Sequence, residues 1–196
     1  MINQVPIAKD LYIVAGSRGS GKSTFINWCQ RERREESLPP ELQVIANYGE
    51  PIYFMDFANF AGKTNQELLV HVDIFTPFSE LLLMPSETSI CDSLSLKTFW
   101  DYPNTPLLTQ AENIFVFTIR TKREVVFRRW LERCVEQKSK LVRTLLTQIY
   151  SDVYGERPFQ QLYAVWDEFT SALPNVKRWD VFETKPDGYR IEPDFL

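Results

Sequence analysis

Leu11-Tyr-Ile-Val-Ala15 is a short uninterrupted apolar run closed by a glycine, and it predicts a buried strand. From residue 22 the pattern predicts a helix that turns strongly charged at Arg31-Glu-Arg-Arg-Glu-Glu36 and is stopped by Pro39-Pro40. Two apolar runs follow, Pro51-Ile-Tyr-Phe-Met-Asp-Phe57 and Leu68-Leu-Val-His-Val-Asp-Ile-Phe75, each with an aspartate near its C-terminal end. Fewer than about a dozen residues join them, short for a parallel crossover. They are expected either to form a hairpin or not both to belong to the main sheet. Residues 77–112, with Pro77, Pro85, Pro103 and Pro106, are weakly patterned and predict short helices and a surface excursion. Asn113-Ile-Phe-Val-Phe-Thr-Ile-Arg120 is the strongest strand signal of the second half.

A helix is expected from about Arg123, because Phe127, Trp130, Leu131 and Cys134 fall on one 3.6-period face. Two more amphipathic runs come next, Leu141 to Ile149 and Phe159 to Leu173, and then a last long strand from Val176 to Glu183. Lys185-Pro-Asp-Gly188 is a turn sequence that predicts a C-terminal hairpin with Tyr189-Arg-Ile. Strand, helix, strands, strand, helices and strand in that order give an α/β class with mostly parallel strands.

Composition narrows the class. Of 196 residues, 22 are Lys or Arg and 26 Asp or Glu, a formal net charge of -4. Such a chain can bury a core as one domain, residues 1–196, without staples. The three cysteines, Cys29, Cys91 and Cys134, are far apart and form no CxxC pair, which argues for a reducing compartment. His71 is the only histidine, so histidine-rich metal sites are excluded. The chain has no apolar run of transmembrane length, and Met-Ile-Asn-Gln-Val-Pro lacks the regions of a signal peptide. The expected location is cytoplasmic, and oligomeric state is not legible.

The candidate chemistry lies in Gly16-Ser-Arg-Gly-Ser-Gly-Lys-Ser23, followed by Thr24, directly between the first strand and the first helix. Glycines let a backbone fold around an anion, and the helix N-terminus adds a partial positive charge. The octet matches G-x-x-x-x-G-K-[ST] and resembles the Walker A motif of the P-loop nucleotide-binding superfamily. That resemblance implies a three-layer α/β/α fold in which Gly16, Ser17, Arg18, Gly19, Ser20, Gly21, Lys22, Ser23 and Thr24 hold the phosphates of ATP. It implies further that Lys22 reaches the β- and γ-phosphates and that the Ser23 hydroxyl is a Mg2+ ligand. Leu-Leu-Val-His-Val-Asp73 resembles the strand-end acid that P-loop kinases place beside the phosphate loop, so Asp73 is expected to hold magnesium or to accept a substrate proton. Asp56 has the same local form and competes for the role. His71, two residues before Asp73, shares its strand face and is read as structural.

Charge is distributed unevenly. Residues 118–143 carry nine basic and three acidic side chains, a net of +6 that leaves the remainder at -10. Arg120, Arg123, Arg128-Arg129 and Arg133 resemble the arginine-rich lid of small-molecule and nucleotide kinases, which implies that Arg120, Arg129 and Arg133 contact the polyphosphate. The competing reading is a solvated face with Arg128–Glu132 and Arg133–Glu136 pairs. Nucleic acid is not expected of an acidic chain without basic–aromatic interleaving.

The leading expectation is a Mg-ATP-dependent phosphotransferase acting on a small molecule, its acceptor pocket built from residues 77–112. Thr118-Ile-Arg120-Thr-Lys-Arg-Glu-Val-Val also resembles the strand and helix with which sulfotransferases grip the 3'-phosphate of phosphoadenosine phosphosulfate. Phe127 and Arg128 stand where those enzymes carry a serine. A nucleotide-dependent binding or assembly protein is the third alternative. Thr184-Lys-Pro-Asp187 mimics a guanine-reading motif, but with nine residues after it and no D-x-x-G switch motif at a useful place a GTPase is rejected.

Overall fold

Ala8–Gly16, strand β1, is buried along nearly its whole length because it has a partner on each side. It pairs in parallel with β3 (Asn65–Asp73) and with β4 (Ala111–Ile119). The computed structural model describes residues 7–32, 38–54, 56, 65–76, 95–135, 155–184 and 188–194. Beyond β3 lies the two-residue strand β2 (Ile52–Tyr53), and beyond β4 lie β5 (Val176–Thr184) and β6 (Gly188–Pro193). The sheet order is β2-β3-β1-β4-β5-β6, all neighbours parallel except β5 and β6.

Alternation along the strands feeds two cores. Leu11, Ile13 and Ala15 join Val70, Val72, Ile114 and Val116 on one face, under Phe99 of α3 (Leu96–Asp101), Trp130 of α5 (Arg123–Val135) and Trp166 and Phe169 of α6 (Glu156–Ser171). Tyr12 and Val14 join Leu69, Phe117, Ile119 and Val181 on the other, under Phe25 and Cys29 of α1 (Lys22–Glu32) and Leu42 and Ile45 of α2 (Pro40–Asn47). The chain is therefore α/β, with helices on both faces of a mostly parallel six-stranded sheet. Among the described residues no helix is long and apolar enough to cross a membrane.

Helix α6 is set by its apolar stripe: Phe159, Leu162, Tyr163, Trp166 and Phe169 are all buried. Each such side chain contributes about 1.5–3 kcal/mol on burial. Trp166, fully buried, donates its indole N–H to Thr118 Oγ1 at 2.9 Å, so no polar atom is stranded there.

The structure departs from the sequence reading in three places. Pro40 does not merely end a helix; it opens α2 at the first helical position, where a missing N–H costs nothing. The runs at 51–57 and 68–75 are both in the main sheet and parallel, with Ile52 opposite Val70 and Tyr53 opposite His71. Strand β2 is only two residues long, so eleven residues of sequence, 54–64, separate it from Asn65 at the start of β3. The short helices expected in the 77–112 stretch are present between 96 and 108, but its later half is core rather than excursion, and 111–112 already belong to β4. Phe99 is fully buried and stacks on Phe169, with ring centroids 5.0 Å apart. Asn104, just before the short helical turn α4 (Thr105–Leu108), donates to Phe54 O at 2.6 Å. Residues 77–94, the Leu141–Ile149 run and the 136–143 end of the basic segment lie outside the described residues. The C-terminal hairpin is present, its register closing at Thr184 opposite Gly188.

Candidate functional site

The Gly16–Ser23 loop leaves the sheet at the C-terminal end of strand β1, and its three glycines answer two different demands. A Cβ on Gly16 would lie 2.5 Å from Ser20 Oγ, so a side chain there would force Ser20 to move. Gly19 and Gly21 have φ of 87° and 99°, which a side chain rarely tolerates. The loop runs into α1, whose ladder begins with Phe25 N donating to Gly21 O at 2.9 Å. The amides of Lys22, Ser23 and Thr24 precede that ladder and stand at the positive end of the helix dipole.

Lys22 is folded back into the loop. Its ammonium donates to Gly16 O and Ser17 O, each at 2.9 Å, and the residue is only 5% exposed. Burial lowers its pKa below the ordinary lysine value, Asp73 opposes that, and Arg18 and Arg133 add to it. Two residues from other elements hold the loop's body. Tyr163 of α6 accepts from Ser17 N at 3.2 Å, and Thr121 Oγ1 donates to Ser20 O at 2.7 Å.

Asp73 ends β3 directly opposite Gly16, and Ile74 N donates to Gly16 O at 3.2 Å, tying the two strand ends together. Its Oδ1 accepts from Phe75 N at 3.1 Å, an Asx-turn that orients the carboxylate. A cleft of about 390 Å³ opens here, lined by Arg18, Gly19, Gly21, Lys22, Ser23, Thr24, His71, Asp73 and Arg133 with the aromatic rings of Tyr53, Phe54 and Phe75. Gly16, Ser17 and Ser20 form the loop's buried back instead. Asp56 is exposed and does not line the cleft. His71 does line it, edge-on to Tyr53 at 5.1 Å. Burial first, and the charge of Lys22 second, lower its pKa to about 4, so the ring is neutral at pH 7.

The arginines separate. Arg133 is exposed and borders the cleft. Arg129, one turn earlier, places Nη1 3.5 Å from where a Gly21 Cβ would be but gives Nη2 to Glu183 at 2.7 Å. Arg120 is spent between two acids, Asp167 at 2.6 Å and Asp180 at 2.7 Å, with its guanidinium over the Tyr163 ring. No ion pair joins Arg128 to Glu132 among the described residues. Arg120, Lys122, Arg128 and Arg129 instead border a second cavity of about 1170 Å³, with Phe159, Tyr163 and Phe182 as apolar wall. That cavity meets the loop through Thr121 and Tyr163.

The arrangement can neutralise and orient an anion at a helix N-terminus, beside a carboxylate and a hydroxyl. Ser23 and Asp73 offer one hydroxyl and one carboxylate, a donor set that suits Mg2+ completed by phosphate and water oxygens. Among the described residues no cluster of three His, Cys, Asp or Glu exists that would hold a metal unaided. Tyr163 and Thr121 were not legible as site residues, since one sits in an apolar stripe and the other in a basic segment. Comparison with protein-family models and with curated proteins finds no match to the chain.

Proposed function

We propose that the chain is a Mg-ATP-dependent phosphotransferase acting on the hydroxyl of a small molecule. One observation carries the reading: Lys22, Ser23 and Asp73 share a cleft at the C-terminal ends of adjacent parallel strands, where open α/β sheets bind ligands. Lys22 and the first-turn amides of α1 would bind the β- and γ-phosphates, and Arg133 would offset charge from the open side. Ser23 and, through water, Asp73 would hold magnesium, which when bound neutralises phosphate charge and in that mode leaves a carboxylate oxygen of Asp73 for the acceptor's proton. An acceptor hydroxyl entering by Tyr53 and Phe75 attacks the γ-phosphorus; its O–P bond forms as the β–γ bridge breaks, ADP leaves, and Asp73 is placed to accept the proton. Rate enhancement comes from positioning and charge neutralisation.

The second cavity favours a second reading. Lys122 and Arg128 give it positive charge beside the loop, as a donor with an additional phosphate such as phosphoadenosine phosphosulfate would need. The pairing of Arg120 with Asp167 and Asp180 counts against it.

Thermal unfolding with ATP, GTP and phosphoadenosine phosphosulfate, with and without magnesium, separates the readings. Magnesium-dependent stabilisation by ATP that Asp73→Asn weakens supports phosphotransfer. Stabilisation by the phosphosulfate donor alone, indifferent to magnesium, replaces it with sulfotransfer. No response to any donor removes both.

A further inference from the structure

Between the buried residues Ser17 and Ser20 the loop exposes only Arg18 and packs Gly19 with φ of 87°. Both ends of this short segment are pinned from behind. At the first, Ser17 N donates to Tyr163 Oη at 3.2 Å, and that hydroxyl in turn donates to Ile119 O at 3.0 Å; Ser17 Oγ lies 3.3 Å away. At the second, Thr121 Oγ1 donates to Ser20 O at 2.7 Å. Ile119 is the last residue of β4 and Thr121 lies two beyond it. The loop that leaves β1 is therefore fastened to the end of the neighbouring strand at two points, one of them through a tyrosine from α6.

Burial of the Tyr163 ring in the core needs no hydroxyl; Phe159 and Phe169 do the same work in the same stripe without one. What the hydroxyl adds is an acceptor for one loop amide and a tether to β4. A loop with glycines at positive φ has many accessible shapes, and a ligand that must select one of them binds more weakly by the fraction of time that shape is absent. Fixing residues 17 and 20 leaves Gly19 and Gly21 little choice, so the loop is held in its curved form before any anion arrives.

We infer that Tyr163 and Thr121 are positioning residues that preset the Gly16–Ser23 loop for polyphosphate binding, an inference that rests on the phosphate-site reading above. Neither touches the phosphates. Removing either hydroxyl frees a loop end, and the affinity for polyphosphate falls even though every residue facing the cleft is unchanged.

The test uses inorganic triphosphate with magnesium rather than ATP, because Tyr163 also borders the second cavity and a nucleoside lodged there would confuse the result. Calorimetric titration of wild type, Tyr163→Phe and Thr121→Val is run well below the unfolding temperature of each. Both variants are expected to bind about tenfold more weakly, the scale of one neutral hydrogen bond. A purely structural role would lower the unfolding temperature and leave that affinity alone. The chain has 7 glycines, so a spectrum labelled with 15N-glycine is sparse enough to follow each one. The Gly19 and Gly21 peaks are expected to shift in both variants, and the peak of Gly49, around which there is open space, to stay. Affinities within about twofold of wild type, with unmoved Gly19 and Gly21 peaks, overturn the inference. Thr121→Val decides the matter if Tyr163→Phe does not fold. Wild type that is folded but binds no triphosphate overturns the phosphate-site reading itself, a failure visible in the wild-type titration alone.

Discussion

Replacing Lys22 with methionine should leave the free protein nearly as stable as before while abolishing its response to nucleotide. The ammonium is buried and donates to Gly16 O and Ser17 O. Neither carbonyl depends on it alone: Gly16 O also accepts from Ile74 N at 3.2 Å, and Ser17 O from Ser20 N at 3.1 Å. Two hydrogen bonds from a charged donor are worth about 1.5–3 kcal/mol each, and methionine forfeits both. It also removes the cost of holding a cation out of water, which is several kcal/mol on its own. The lowered pKa of Lys22, caused first by burial, is the mark of that cost. The two contributions nearly cancel, so the net change is expected within about 1 kcal/mol, a shift of roughly 2–4 °C for a chain of this size. Wild type with ATP at 100 times its dissociation constant should gain ~2.7 kcal/mol, which is more than twice that shift. Scanning calorimetry of both proteins, with and without Mg-ATP, reads the two quantities together. A fall of more than about 10 °C in the free variant would show Lys22 to be a structural strut and refute the energetic reasoning. An undiminished ATP shift would refute the assignment of Lys22 to the phosphates.

Gly16→Ala is expected to cost about 1–3 kcal/mol by urea unfolding. Ser20→Ala in the same chain should recover part of that, because the closest atom is Ser20 Oγ. Arg120→Leu removes the cation shared by Asp167 and Asp180 and should cost about 1–3 kcal/mol, because both acids keep part of their surface in water, with partial recovery on adding Asp180→Asn; equal loss in single and double variants would contradict the ion-pair account. His71 has a folded pKa of about 4, below its unfolded value of 6.5, so its contribution is fully present above pH 6.5 and is lost as the pH falls towards 4. His71→Gln should flatten the stability profile in that window, by up to about 1.4 kcal/mol per pH unit; superimposable profiles would show that another group titrates there.

Local chemistry made much of the molecule legible. The apolar run at 11–15, the glycine-punctuated loop and the helix after it are neighbours along the chain, and covalent geometry alone brings them together. The stripe from Phe159 to Phe169 declared α6 by its period, and the antiparallel pairing of β5 with β6 is the one that the turn sequence Lys185-Pro-Asp-Gly188 predicted, although 185–187 themselves lie outside the described residues. Helix α2 was hidden because proline usually ends a helix and only its position, at the first turn, distinguishes a start from a stop.

Tertiary structure decided the rest. Asp56 and Asp73 have the same local form in sequence; of β2 and β3 only β3 lies beside β1, and of the two acids only Asp73 reaches the cleft. Arg129 and Arg133 are one turn apart, yet Glu183, brought in by β5 from 54 residues away, takes the first and leaves the second at the cleft. Tyr163 reaches Ser17 across 146 residues of sequence. Sequence alone determined what adjacent residues can do together, since torsion angles and helical or strand period act over a few residues. Which distant side chains meet is settled by the packing of a whole sheet, a sum of many small terms that no single segment carries.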